Sequence, residues 1–363
     1  MATSAASSTR PAASHAASQA LLAHAIEPGI PGSKSPARAI DAVVAGVLAI
    51  AAREPGVLLG AGVLMIGGVG EGRVVIDGRA RQPGLGAPRP RGWKSQDDIP
   101  AAARVSVPAL PGALVLAHAG RGELTLSELS KLAIASASME GELDPAREKS
   151  IRAFGREGAL ALRTGSLRAA MLRASPRSLG GVLTEADLDA ASWARVDAAE
   201  SKVGEASVAY VPWAESLARA IAGEASLEDD AVDHAIVAAA DVHGGVAIAI
   251  VAVPRDGVTL DDTGLTAATF AEPVRRNETR VAPGAALHFA SPIALLRTKA
   301  EDGLSTFAIG VTDTATADAT LARLFARLAD GHVFVDGSLG VQATIAGVIV
   351  DPAGRARGIA ARR

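Results

Sequence analysis

From Ala39 to Ala52 almost every position is apolar or glycine. Asp41 is the one charged residue, and Glu54-Pro55 closes the run. The pattern predicts a helix over 36–50 that is apolar all round, as a helix sandwiched inside a core must be. A shorter helix is expected over 18–26, ended by Pro28 and Pro31. Two apolar runs, 57–59 and 63–66, follow between glycines, and Arg73-Val74-Val75-Ile76-Asp77-Gly78-Arg79 reads as a strand of β-branched residues. The stretch 83–100, rich in Pro, Gly and Arg, reads as a loop. Helical spacing recurs over 111–119, 125–138, 146–173, 184–200 and 214–223, and Thr125 with Glu128 three residues later marks an N-cap. Beyond Asp233 strands dominate, over 234–240, 245–253, 286–295, 304–311, 332–335 and 341–350, with one helix at 316–329. Helices first and strands later, with an alternating strand pair across His243-Gly244-Gly245, predict layered sheets flanked by helices. No internal repeat is visible.

Composition narrows the picture. Hydrophobic residues make up 49 % of the 363 but aromatics only 3 %, so Ala, Val, Leu and Ile must fill the core and let backbones approach closely. A chain of this size buries enough apolar surface to need no disulfide or metal staple. With no cysteine there is no thiolate nucleophile and no Cys-based zinc site. The net charge of −3, with Lys and Arg scattered, points away from nucleic acid and anionic membranes. The longest apolar run, Ala42 to Ala52, is about half the roughly 20 residues of a membrane-spanning helix. The first residues are small and polar, with no apolar stretch of the secretory kind, so a cytoplasmic location is expected. The glycines at 60–70 form neither a dinucleotide nor a phosphate loop, and no cofactor is expected.

Several short motifs, in order, resemble one family. Ala39-Ile40-Asp41-Ala42, ending at Glu54-Pro55, is similar to an Asn-Ala-Val-Asp-Ala-Ala helix with its closing Glu-Pro, Arg38 standing in place of the asparagine. Ile76-Asp77-Gly78-Arg79, Val107-Pro108 with Gly112, Gly180-Gly181-Val182-Leu183-Thr184-Glu185-Ala186-Asp187-Leu188 and Ala290-Ser291-Pro292-Ile293 follow at matching spacing. Finally, Val232-Asp233-His234 through Asp241-Val242-His243-Gly244 looks like a strand–turn–strand that opens a small subunit. Together these resemble the gamma-glutamyltranspeptidases. The resemblance implies the four-layer αββα sandwich of the N-terminal-nucleophile hydrolases, an α/β (α+β) fold. The Ala/Ser-rich stretch 1–19 is expected to be a disordered tail, and the resemblance divides the rest into a large-subunit-like region over 20–225 and a small-subunit-like region over 226–363. Most of this shortened member's missing length is expected between Gly141 and Gly180.

In that family a threonine opens the small subunit, cuts the chain at its own amide and then attacks the γ-glutamyl carbonyl, its freed amine acting as base. Here no serine or threonine lies between Leu227 and Val258. Matching the family histidine puts Val232 at the nucleophile position, whereas matching Asp241-x-x-Gly244 puts His234 there. Neither side chain supplies an attacking oxygen or sulfur. The serine pair of the family is replaced by His288-Phe289, the acidic pair is missing at 266–270, and the oxyanion turn has become Gly310-Val311-Thr312-Asp313-Thr314. Losing one oxyanion donor typically costs on the order of 100–1000-fold in rate.

Only the arginine that holds the substrate's α-carboxylate has a counterpart, as Arg79. It reads either as that clamp or as a surface arginine at a strand end beside Arg73 and Arg81. His234 and His243 flank the strand–turn–strand and read as acid–base groups or as structural residues. Asp41 reads as a buried reactive carboxylate or as a local cap. Glu228, Asp229, Asp230 and Asp233 form an acidic loop that binds a hard cation or is simply solvated, and no metal site is expected. Three functional readings stay open. The first is a catalytically inactive relative that binds a γ-glutamyl or amino-acid ligand, or assembles with itself or with an active homologue. The second is an active transferase or amidohydrolase using a displaced nucleophile, Ser226. The third is a structural subunit whose old pocket is filled by Val232, His288 and Phe289. The first and third predict an uncleaved chain.

Overall fold

The computed structural model describes residues 38–68, 71–90, 92–139, 141–224, 233–241, 243–300, 303–312, 317–329, 344–351 and 356–361. In chain order the elements are α1 (Ala39–Arg53), β1 (Gly62–Gly68), β2 (Glu71–Gly78), α2 (Leu110–Arg121), α3 (Leu126–Ser138), α4 (Pro145–Glu157), α5 (Gly165–Ala174), α6 (Glu185–Asp189), β3 (Ala194–Asp197), β4 (Ala199–Val203), β5 (Ala206–Tyr210) and α7 (Glu215–Ile221). Then follow β6 (His234–Ala240), β7 (Gly245–Ala252), β8 (Gly257–Leu260), β9 (Leu265–Ala268), β10 (Ile293–Ala300), β11 (Gly303–Thr312), α8 (Ala317–Ala329), β12 (Thr344–Val350) and β13 (Ala356–Ala361). The first sheet has the order β3-β2-β1-β7-β6 and the second β13-β12-β11-β10-β5-β4, with every neighbouring pair antiparallel. A separate hairpin joins β8 to β9.

Four layers result. Helix α1 packs on β6 and β7 from outside, with α3 and α4 against its other side, while α2 covers β1 and β2. That double cover explains why α1 is buried at fourteen of its fifteen positions and shows no polar face. Burying a side chain such as Leu48 there contributes on the order of 2 kcal/mol. Strands β10, β11 and β12 of the second sheet face the inner side of the first, and α8 closes their outer side. A core of Leu296, Phe307, Ile309, Leu324 and Phe325 fills the space under α8.

The sheets meet closely because two positions carry no side chain. A methyl group added at Gly310 would lie 2.7 Å from Ile236 Cδ1 and 2.8 Å from Ile293 Cγ2; one added at Gly67 would lie 2.8 Å from Leu295 Cδ1. These contacts also fix which residues point between the sheets. Ile236, Ile250, Val63 and Asp77 are cross-strand partners in one row over β6, β7, β1 and β2, so all four face the second sheet.

Most expected elements are present within one to three residues of their expected bounds. The capping box of α3 forms, Thr125 Oγ1 accepting from the Glu128 amide and Glu128 from that of Thr125. Two expectations need correcting. The pattern over 184–200 is helical only in α6 and then becomes β3 and the start of β4, pairing with β2 and β5. The strand expected from 286 begins at Ile293; the preceding segment is tied back by one bridge between Ala286 and Arg81 and by the Leu287 amide donating to the Ala80 carbonyl. The helix expected over 18–26, the strand over 332–335, Ser226 and Val232 lie outside the described residues.

Candidate functional site

The strand ends at Gly78, His234, Ala252 and Ile293 lie at one end of the sandwich. His234 is the first residue of β6, pairs with Ala252 and lies two residues before Ile236, so its ring points between the sheets. Ala252 is bonded to Ala61, and β1–β2 register carries the same row on to Arg79. His234 and Arg79 therefore stand at the two ends of one cross-strand row, three strand spacings or roughly 14 Å apart.

At the His234 end, the imidazole meets the Phe289 ring edge-on, centroids 5.0 Å apart with planes at 70°. Phe289 is buried just before β10, and Ser291 Oγ donates to its carbonyl at 3.0 Å, which uses that hydroxyl to turn the chain. At the Arg79 end, Asp77 projects from the last turn of the β2 pleat. Arg79 donates to it three times at 3.0 Å, from its amide and Nε to Oδ1 and from Nη2 to Oδ2. Arg81 Nη2 donates to Oδ2 at 3.0 Å and its Nε to the Ser192 carbonyl. The Arg79 guanidinium carbon lies 3.7 Å above the Trp213 ring centre, Trp213 coming from the loop between β5 and α7. Burial alone would raise the Asp77 pKa, but the hydrogen bonds from Arg79 and the charges of Arg81 and Arg79 outweigh it, so the carboxyl sits below its usual range.

The other candidates lie elsewhere. His243 is exposed in the β6–β7 turn, at the opposite end of the sheet from His234. Its amide and that of Gly245 donate to Asp241 Oδ1, and Asp241 Oδ2 caps the start of α1 through the Ala39 amide. Asp41 is also at that far end. It accepts from the Arg38 and Glu123 amides, with His118 Nε2 3.8 Å away; burial outweighs these partners and raises its pKa. It is a local cap. His288 is exposed beside the buried Phe289. Gly310, Val311 and Thr312 are strand residues paired with β10 and β12, not a turn. Arg73 is at the far end of β2, paired with Glu200. Asp233 pairs with Arg255, and among the described residues no group of acidic or histidine side chains is placed to hold a metal.

Sequence reasoning missed Asp77 and Trp213. Asp77 was findable: two residues before Arg79 on a strand, it must share the arginine's face. No sequence signal marks Trp213. The motif over 180–188 turns out to be structural. Asp187 accepts from the Gly84 and Leu85 amides at 2.8–3.0 Å, and Thr184 Oγ1 donates to the Leu85 carbonyl, so α6 holds the loop that follows Arg79.

This architecture is similar to a cephalosporin acylase from Bacillus halodurans, with TM-score 0.67 and 14 % identity over 96 % of this chain and 92 % of that one. It is also similar to the protein LmbA2991T421A, with TM-score 0.69 and 12 % identity over 96 % and 94 %. The chain has the N-terminal-nucleophile hydrolase fold. A gamma-glutamyltranspeptidase from Pseudomonas nitroreducens complexed with L-DON overlaps less, at TM-score 0.46 and 17 % identity over 61 % of this chain and 76 % of that one. No protein-family model and no curated protein sequence matches the chain. No helix among the described residues of this hydrolase fold is long and apolar enough to cross a membrane.

Proposed function

We propose that this chain is a catalytically silent relative of the acyl-transferring N-terminal-nucleophile hydrolases, keeping the cleft to bind a small carboxylate-bearing compound of the γ-glutamyl or amino-acid class at Arg79. One observation carries the reading. The residue that opens β6 and points between the sheets is His234, packed against Phe289. A residue at that place in the family the sequence resembles attacks through oxygen; an imidazole edge-on to a phenyl ring offers no such atom. Self-cleavage would need the same atom, so the chain stays in one piece. Arg79 supports the binding half of the reading, since a preformed, partly buried guanidinium is suited to recognise a carboxylate.

Two assays test the proposal together. γ-Glutamyl-p-nitroanilide should not be turned over by purified protein. L-glutamate should raise the melting temperature of the wild type but not of Arg79→Ala, because a ligand of the native state stabilises it by mass action. Turnover that saturates with substrate, or an equal shift in both proteins, contradicts it.

A further inference from the structure

We infer that Asp77 and Trp213 are positioning residues that hold Arg79 so that it meets a ligand by one edge only, making the cleft selective for a single carboxylate lying in the guanidinium plane. The inference rests on the reading of Arg79 as the ligand-binding group.

A guanidinium offers five N–H donors in a rigid planar fork, with two edges able to take a carboxylate bidentately. In Arg79 the edge formed by Nε and Nη2 is filled by the two oxygens of Asp77. One face of the plane is covered by the Trp213 indole at 3.7 Å, a contact that fixes the tilt as well as the position of the fork. Nη1 and the outer hydrogen of Nη2 remain, and they form the end-on edge. Asp77 cannot turn away to free the other edge without giving up its bonds to the Arg79 amide, to the Arg79 side chain and to Arg81 at once.

Charge agrees with one carboxylate. Arg79, Arg81 and Asp77 sum to one positive charge, which a monoanionic group neutralises and a dianion at the same point does not.

The test separates positioning from ligand binding. In ligand-free protein, ¹⁵N spectra should show the Arg79 Nε–H in slow exchange with water, and Asp77→Asn should bring that exchange to the rate of a free arginine. Calorimetric titration with L-glutamate should show affinity about tenfold or more weaker in Asp77→Asn, the loss typical of one charge-assisted hydrogen bond. Trp213→Ala should weaken it comparably. Trp213→Phe keeps an aromatic face and should leave Nε–H exchange slow. If Asp77→Asn does not fold, the tryptophan pair carries the test. Fast Nε–H exchange in the wild type, or full affinity in both Asp77→Asn and Trp213→Ala, overturns the inference. A wild type that has a protected Nε–H but does not bind L-glutamate overturns the ligand reading instead, while the exchange data still decide the positioning.

Discussion

Asp77 receives three hydrogen bonds from Arg79 and a fourth from Arg81, although it is almost entirely buried at the end of β2. A buried carboxylate so supplied is charged in the native state and titrates below its unfolded value of ~3.9. The sign follows directly. A lowered native pKa adds stability that is fully present above the unfolded pKa and is lost as pH falls through the native one. The difference in urea midpoint between wild type and Asp77→Asn should therefore be level from about pH 7 to about pH 5 and shrink below about pH 4. A difference that stays level down to pH 2 contradicts the charged, paired carboxylate.

The His234–Phe289 contact is the packing that occupies the cleft's other end. Phe289→Ala should destabilise the fold by about 3 kcal/mol, within the range for truncating a buried phenylalanine. His234→Ala should cost only about 1 kcal/mol, the scale of one edge-on ring contact. Urea unfolding of the two variants checks the order. Equal or reversed costs would mean that the ring pair is not what fills this end.

Close sheet approach at Gly310 gives a third expectation. Any Cβ there meets Ile236 and Ile293 inside van der Waals distance, and both neighbours belong to strands that cannot retreat independently. Gly310→Val should cost about 2–3 kcal/mol, as overpacking of a filled core does. Denaturant unfolding that matches the wild type would show that the sheets stand further apart than described.

The loop after Arg79 depends on Asp187, whose two oxygens satisfy the Gly84, Leu85 and Thr184 amides. Asp187→Ala leaves the buried Gly84 amide and the partly buried Leu85 and Thr184 amides without that acceptor and should cost about 2–3 kcal/mol. Limited proteolysis should then cut within 83–100 well before the wild type is cut. Unchanged digestion would place the loop's anchor elsewhere.

Much of this fold was legible because burial and period spoke together. The all-round apolarity of 39–52 marks a helix covered on two sides, and the alternation on either side of His243-Gly244-Gly245 marks the β6–β7 hairpin. The edge strands were not legible. Ala194-Arg195-Val196-Asp197 and Ala199-Glu200-Ser201-Lys202-Val203 are built mostly from residues that suit helices, are only partly buried, and become strands because β2 and β5 offer them unpaired edges. At the site, the sequence pointed to Arg79 and to His234 as one of two registers. It could not place Trp213 on the guanidinium, since that contact joins elements from different sheets.

The central claim is that no hydroxyl stands where the chain would cut itself, and intact mass spectrometry of freshly purified full-length protein tests it most directly. A single species at 36.5 kDa is the expected result, unchanged in Ser226→Ala. Two fragments whose junction lies immediately before a serine or threonine, abolished by replacing that residue with alanine, would contradict it.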